Sequence, residues 1–460
     1  MPSGSGRSSG SDRSHGPGWG RPDRRQVLLG LPVTLALAAA GFGPMPLSLA
    51  APAAPGARRL VVVILRGAMD GLAAVAPYGD PDYREQRGPL ALAGPGGDGG
   101  VLDLDGRFGL HPALAPLHDF YRNGTFAVIH AVASPYRGRS HFDGQDVLED
   151  GYGAARAVVS GTGDSGWLNR ALGLLPPGRS WPESRPGLAI GQTVPLMLRG
   201  TVPVGSWAPA ALPVPGPGLL DRLAGLYRGD PVLASALEEG LRSEVFADAA
   251  LAAAPEPVPA PEPVPAPASV MAPVAGMPPA AATAPRPGNR FPDLTAVLAR
   301  FLNPDTGPQV AVMELGGWDT HTGQGTVRGR LADALGLLAE GLAAFARTLA
   351  PTVWRRTAVL VVTEFGRTVA ANGTGGTDHG TGGCAFLLGG AVAGGRVLAD
   401  WPGLARPALF EGRDLMPTLD LRAVIKGVLR DHLGLATAGL DAMVFPDSGA
   451  VSPVPGLIRT

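Results

Sequence analysis

Five apolar runs rich in β-branched residues punctuate the chain: LVVVIL at 60–65, FAVIHAVA at 126–133, VAVMEL at 310–315, AVLVVT at 358–363 and CAFLLG at 384–389. None alternates apolar with polar positions, which is the pattern of strands covered on both faces in a parallel sheet. Between them the apolar spacing turns helical. HPALAPLHDFYRNG places Pro112 in a first turn and ends at Gly124, SHFDGQDVLEDG has Ser140 as its candidate cap, and DSGWLNRALGLLP follows Asp164. GRLADALGLLAEGLAAFARTLA is the longest and stops near Pro351, and DLRAVIKGVLRDHLG stops at Gly434. Strands alternating with helices predict an α/β layered fold.

Three regions depart from that rhythm. Ala252 to Pro287 reads AAAPEPVPAPEPVPAPASVMAPVAGMPPAAATAPRP. Such a Pro/Ala-rich tract lacks backbone donors for regular structure and predicts an extended, disordered insertion over 252–288. Strand-like runs lie on both sides, so it is expected to interrupt one domain, whose two parts are 58–251 and 289–460. Residues 181–240 carry weaker signals, which suit an accessory layer or cap. The amino-terminal fifty residues are a Gly/Ser/Pro/Arg stretch, then DRRQVLLG, then LPVTLALAAAGFG and SLAAPAAPG. A paired arginine, a short apolar stretch broken by Pro32 and small residues after it form an export signal. Arg24–Arg25 followed by Gln-Val-Leu-Leu resembles the twin-arginine signal, which implies the twin-arginine export machinery as a partner and a periplasmic or extracellular destination. That apolar run is short and interrupted for a spanning helix, and no other segment is long and apolar enough to cross a bilayer.

Composition narrows the function classes. With 460 residues, 45% of them hydrophobic and 17% charged, the chain suits a globular body with a sizeable core. A formal net charge of −1 supplies no basic field for nucleic acid, and the few aromatics form no stacking platform. The one cysteine, Cys384, excludes an internal disulfide and any CxxC metal site, and inside an apolar run it reads as a small buried hydrophobe.

The chemistry-bearing residues cluster after the apolar runs, where ligands bind in open α/β sheets. LVVVIL is followed by Asp70; FAVIHAVA contains His130 and is followed by Arg139, Ser140 and His141; VAVMEL by Asp319 and His321; AVLVVT by Glu364 and Arg367. The last connection continues into GGTDHGTGG, which presents Asp378 and His379 in permissive backbone. Asp, His and Glu suit a divalent metal, zinc or manganese before calcium. Two such ions would stabilise the attacking and leaving oxygens of a displacement at phosphorus. Ser140 opens a helical pattern and reads either as an N-cap or as a nucleophile beside a cation. Arg139 and Arg367 are candidate clamps for a tetrahedral oxyanion. Each residue also has a plainer role: Asp70 in an Asx-type turn before Gly71, Glu364 paired with Arg367, and His111 and His118 as structural or solvated side chains.

Taken together, TEFGRTVAANGTGGTDHGTGG, ELGGWDTHTGQ, RGAMDGLAAVAPYGDPDY and RSHFDGQDVLE resemble a bacterial family of exported proteins catalogued as domain of unknown function 1501. The resemblance spans about Leu60 to Gly434, apart from the Pro-rich insertion. That family is similar to the alkaline phosphatase and sulfatase superfamily. The likeness implies a three-layer, doubly wound, mostly parallel sheet and a metal-dependent hydrolase of phosphate or sulfate esters, acting on a small or polymeric anionic ester. By that likeness Asp70 matches the acidic residue after the first strand, and Ser140 lies where the nucleophile is expected. Asp319, His321 and His379 match one metal site and Glu364 the carboxylate of another. Here the chain departs, because Phe365 stands where a histidine ligand is usual, which leaves Asp378 or His141 to complete the second site. A non-catalytic secreted binding or structural protein on the same fold is the alternative.

Overall fold

A computed structural model describes residues 56–153, 165–176, 186–209, 217–231, 233–234, 237, 247–252 and 290–459. The Arg24–Arg25 leader, Asp164 and the insertion from 253 to 288 lie outside the described residues.

Nine strands form the main sheet: β1 (Arg59–Leu65), β2 (Phe126–Ala133), β3 (Gly187–Ile190), β4 (Val204–Trp207), β5 (Val310–Leu315), β6 (Thr357–Thr363), β7 (Gly383–Leu388), β8 (Arg396–Leu398) and β9 (Leu419–Asp420). Their order is β8-β2-β7-β6-β1-β5-β3-β4, with β9 also on β2. All five apolar runs are strands, and β1 sits between β5 and β6. Chain from before and after the insertion therefore builds one sheet. The pairing is parallel everywhere except at β7, which runs antiparallel to both β6 and β2. This is a mixed, mostly parallel α/β sheet.

The helices that accompany it include α1 (Ala115–Arg122), α2 (His141–Asp150), α3 (Trp167–Leu172), α4 (Pro217–Tyr227), α5 (Phe291–Leu302), α6 (Arg330–Thr348) and α7 (Leu421–Leu433). Because strand side chains alternate between faces, β1 feeds two cores. Val61, Val63 and Leu65 pack with Leu117 of α1, Leu298 of α5 and Leu338 of α6. Leu60, Val62 and Ile64 pack with Leu148 of α2, Leu168 of α3 and Val424 of α7. The result is three layers, and each fully buried Val, Leu or Ile adds about 1.5–3 kcal/mol relative to exposure.

Local chemistry sets the helix ends. Asp420 caps α7 by accepting from the Arg422 amide, and left-handed Gly434 closes it. Left-handed Gly151 closes α2 in the same way. Residues 187–207, where the apolar pattern is weak, supply the four-residue strands β3 and β4, with β4 at the edge of the sheet. Among the described residues no helix is long and apolar enough to cross a membrane.

Candidate metal centre

The reversed direction of β7 builds the site. The connection from β6 to β7 starts and ends at one edge of the sheet, so GGTDHGTGG returns to the edge where β1, β5, β6 and β2 terminate. Glycines let it lie flat against its neighbours. A Cβ on Gly376 would stand 2.2 Å from the Thr320 carbonyl oxygen, and one on Gly366 only 1.9 Å from that of Gly382.

Three imidazoles meet one carboxylate there. The Nε2 atoms of His321, His379 and His141 lie 3.1, 3.4 and 3.6 Å from Asp319 Oδ1, and those of His321 and His379 are 2.8 Å apart. Each ring is held from behind through Nδ1. His141 Nδ1 donates to Glu364 Oε1 at 2.7 Å, His321 Nδ1 to Asp378 Oδ1 at 3.1 Å, and His379 Nδ1 to the Arg139 carbonyl at 2.8 Å. The tautomers follow from those partners. A carbonyl and ionised carboxylates only accept, so each Nδ1 carries a proton, and in the neutral rings the three Nε2 lone pairs point inwards.

A network of donors keeps the carboxylates ionised against the effect of burial. Burial pushes Glu364 up, but the hydrogen bonds from His141, the Gly67 amide and the Thr363 hydroxyl outweigh it and leave its pKa below the ordinary value. Burial likewise pushes Asp319 up, and Arg367 with His321 and His141 brings it below normal. Asp378 is lowered, first by the Asn372 amide and then by His321. The Glu364 hydrogen bond raises His141, whereas burial and the neighbouring cations lower His379.

This donor set fits a divalent cation. Two unprotonated nitrogens 2.8 Å apart beside a carboxylate repel unless a proton or metal ion lies between them. His141 Nε2 is buried with no hydrogen-bond partner. With metal–nitrogen bonds of about 2.0–2.1 Å, a tetrahedral ion separates its ligands by about 3.3 Å, and four of the six separations among these donors, 2.8, 3.1, 3.4 and 3.6 Å, bracket that value. Among the described residues His141, Asp319 and His379 offer ligand atoms that all lie within 4.8 Å of one another, and His321 adjoins that group through His379 and Asp319.

Not every residue singled out in the sequence reaches this point. Asp70 is buried, pairs with Arg87, accepts from Gln324 Nε2 at 2.7 Å and caps the short helix Gly71–Ala74 through the Ala73 amide. Glu364 and Asp378 stand behind histidines rather than among the inner donors. Arg367 pairs with Asp319, not Glu364, and spends its remaining donors on the carbonyls of Gly67, Ala68, Trp318 and Thr377. Arg139 turns its guanidinium to Asp414 and Glu411. Both guanidiniums are thus engaged by protein acceptors. Ser140 occupies the N-cap position of α2, yet its hydroxyl makes no cap hydrogen bond. His130 is buried, hydrogen-bonded to the Val75 carbonyl and lowered by burial to about 4. His111 and His118 bond the carbonyls of Thr326 and Asp103.

Sequence reasoning gave His141 a supporting role, but the structure makes it central. Its ring stacks on Phe365, with centroids 5.1 Å apart. Asn372 and Gln324 were missed. Asn372 ties Asp378 to the His321 carbonyl, and buried Gln324 joins the hydroxyls of Thr320 and Thr377 to Asp70. The signal available was their place within AANGTGG and DTHTGQ.

A mixed α/β sheet carrying a His/Asp constellation at its carboxyl edge is the class that fold and site define. Residues 279–443 match the model of a family described as Protein of unknown function (DUF1501), so a domain of unknown function is present. The matched segment carries Asp319, His321, Glu364, Arg367, Asp378 and His379. No curated protein matches the chain.

Proposed function

We propose that the protein is an exported, metal-dependent hydrolase of phosphate or sulfate esters built around one divalent ion, zinc or manganese before calcium. The observation that carries the metal is the convergence of three oriented Nε2 lone pairs on Asp319 Oδ1. Asp319, His321, His379 and His141 would hold the ion. Glu364, Asp378 and the Arg139 carbonyl orient the rings, as acceptors behind metal-bound histidines commonly do. When bound, the ion supplies Lewis-acid polarisation of an ester oxygen. Ser140 stands in the chain between Arg139, which orients His379, and His141, and its hydroxyl is not consumed by the helix amides, which suits it to the nucleophile's part. The Asp319 side chain is 47% exposed, so the cluster opens to solvent and admits a substrate. The likeness to the alkaline phosphatase and sulfatase superfamily supplies the ester class, and the Arg24–Arg25 leader supplies export by the twin-arginine route.

A second reading has its own support. Both arginines are saturated by protein acceptors, and a tetrahedral ion would be filled by the four inner donors. On that reading the chain is a secreted binding or structural protein with a structural ion. A six-coordinate ion keeps two open positions. The deciding experiment is metal content of the protein purified without chelator, beside His321→Ala/His379→Ala, followed by turnover of aryl phosphates and sulfates by the parent and Ser140→Ala. Near-stoichiometric metal lost in the double variant, and turnover lost in Ser140→Ala, are the expected results. No uptake of zinc, manganese or calcium by the parent would sink the hydrolase reading.

A further inference from the structure

Among the described residues Arg139 is one of five non-glycine residues with positive φ, at 62°. A side chain in that region is strained and persists only where its surroundings enforce it. Here the strained residue is the one whose carbonyl receives His379 Nδ1 at 2.8 Å. Its guanidinium is held by Asp414 through Nε at 2.9 Å and Nη2 at 2.7 Å, and Asp414 is fully buried. The next residue back, Arg413, donates from Nη2 to the carbonyl of His379 itself at 2.7 Å. The turn carrying both is rigid. Phe410 and Asp414 exchange backbone hydrogen bonds of 2.9 and 3.0 Å, Thr368 bridges Asp414, and the Val369 amide reaches the Arg413 carbonyl. One turn, separate in sequence from both α2 and the GGTDHGTGG loop, thus holds the residue that receives His379 Nδ1 and the backbone carbonyl of His379 itself.

We propose that the Phe410–Asp414 turn is the positioning element for His379. Asp414 holds Arg139 in the left-handed conformation that aims its carbonyl at Nδ1, and Arg413 fixes the backbone from which the ring projects. Neither residue touches the ion or a substrate, so both act through His379. The assignment rests on the metal reading above.

The test uses the full chain. Zinc affinity is measured by chelator competition, the visible bands of the cobalt(II)-loaded protein report ligand geometry, and melting of the metal-free protein reports stability alone. Asp414→Asn is expected to weaken zinc by about 10- to 100-fold, the usual effect of losing an orienting partner, and to alter the cobalt bands. Adding Arg139→Gly should recover part of that affinity, since glycine takes the positive φ without restraint. The Arg413 side chain is 42% exposed, so Arg413→Ala should fold, lower metal-free melting only slightly through loss of its 3.6 Å pair with Asp414, and still weaken zinc severalfold. It decides the matter if Asp414→Asn fails to fold. Parent-like zinc affinity and cobalt bands in Arg413→Ala and in folded Asp414→Asn would overturn the assignment. A parent that takes up no metal would instead overturn the metal reading, and this assignment with it.

Discussion

Glu364→Gln separates an orienting carboxylate from a direct ligand. Glu364 is fully buried, and Oε1 accepts from His141 Nδ1 at 2.7 Å and from the Gly67 amide at 2.9 Å. Oε2 meets the Thr363 hydroxyl at 2.9 Å, and that hydroxyl is also 2.9 Å from the Leu65 carbonyl. A glutamine fits these partners. Its oxygen takes the place of Oε1, and its amide donates to Thr363 Oγ while the hydroxyl proton goes to Leu65. Packing and hydrogen-bond count survive, and only the charge on the His141 bond is lost. A hydrogen bond to a charged group is worth about 1.5–3 kcal/mol and a neutral one about 0.5–1.5. The difference of about 1–1.5 kcal/mol corresponds to a loss of roughly tenfold in metal affinity. The assay is zinc competition against a chelator near neutral pH, with metal-free melting as the control for folding. Affinity unchanged from the parent would refute the coupling of Glu364 to the ion through His141. Complete loss of binding in a folded variant would place Glu364 among the direct ligands.

Two further outcomes follow from packing and burial. Gly376→Ala drives a methyl to 2.2 Å from the Thr320 carbonyl and 2.3 Å from that of His321. Neither backbone can yield cheaply, so stability should fall by about 1–3 kcal/mol, read as a lower melting temperature, with metal affinity reduced as the Asp378–His379 loop is displaced. Burial lowers His130 and His432 from 6.5 to about 4. Below pH 6.5 the unfolded chain binds protons at these positions and the folded one does not. Stability is therefore full above 6.5 and is lost as pH falls towards 4, by on the order of 3 kcal/mol per histidine. Melting followed against pH should show a shallower acid decline in His432→Gln than in the parent, and parallel curves would refute it.

The strands were legible because a buried central strand is a short, continuous apolar run. Phe126–Ala133 and Val310–Leu315 coincide with the runs read in the sequence, and β1, β6 and β7 differ only at their ends. The short strands were not legible, since Gly187–Ile190, Arg396–Leu398 and Leu419–Asp420 draw their pairing from neighbours rather than from their own composition. Helix α5 was also unmarked, because its amphipathic stripe adjoins the Pro/Ala tract and shares its alanines and prolines. For the site, position after an apolar run singled out His141, Asp319, His321 and His379, which the fold brings together. Asp70 and His130 obey the same positional rule but point into other contacts.

The sequence by itself determined that an α/β layered body would carry a polar edge, and which side chains would supply it, since burial periodicity and residue chemistry are local properties. The tertiary structure alone decided the roles at that edge. The antiparallel β7 brings GGTDHGTGG back to the other strand ends, and buried Asp414 selects the conformation of Arg139 from 275 residues away. Which carboxylate faces an ion and which stands behind a histidine depends on contacts between segments that no local pattern encodes.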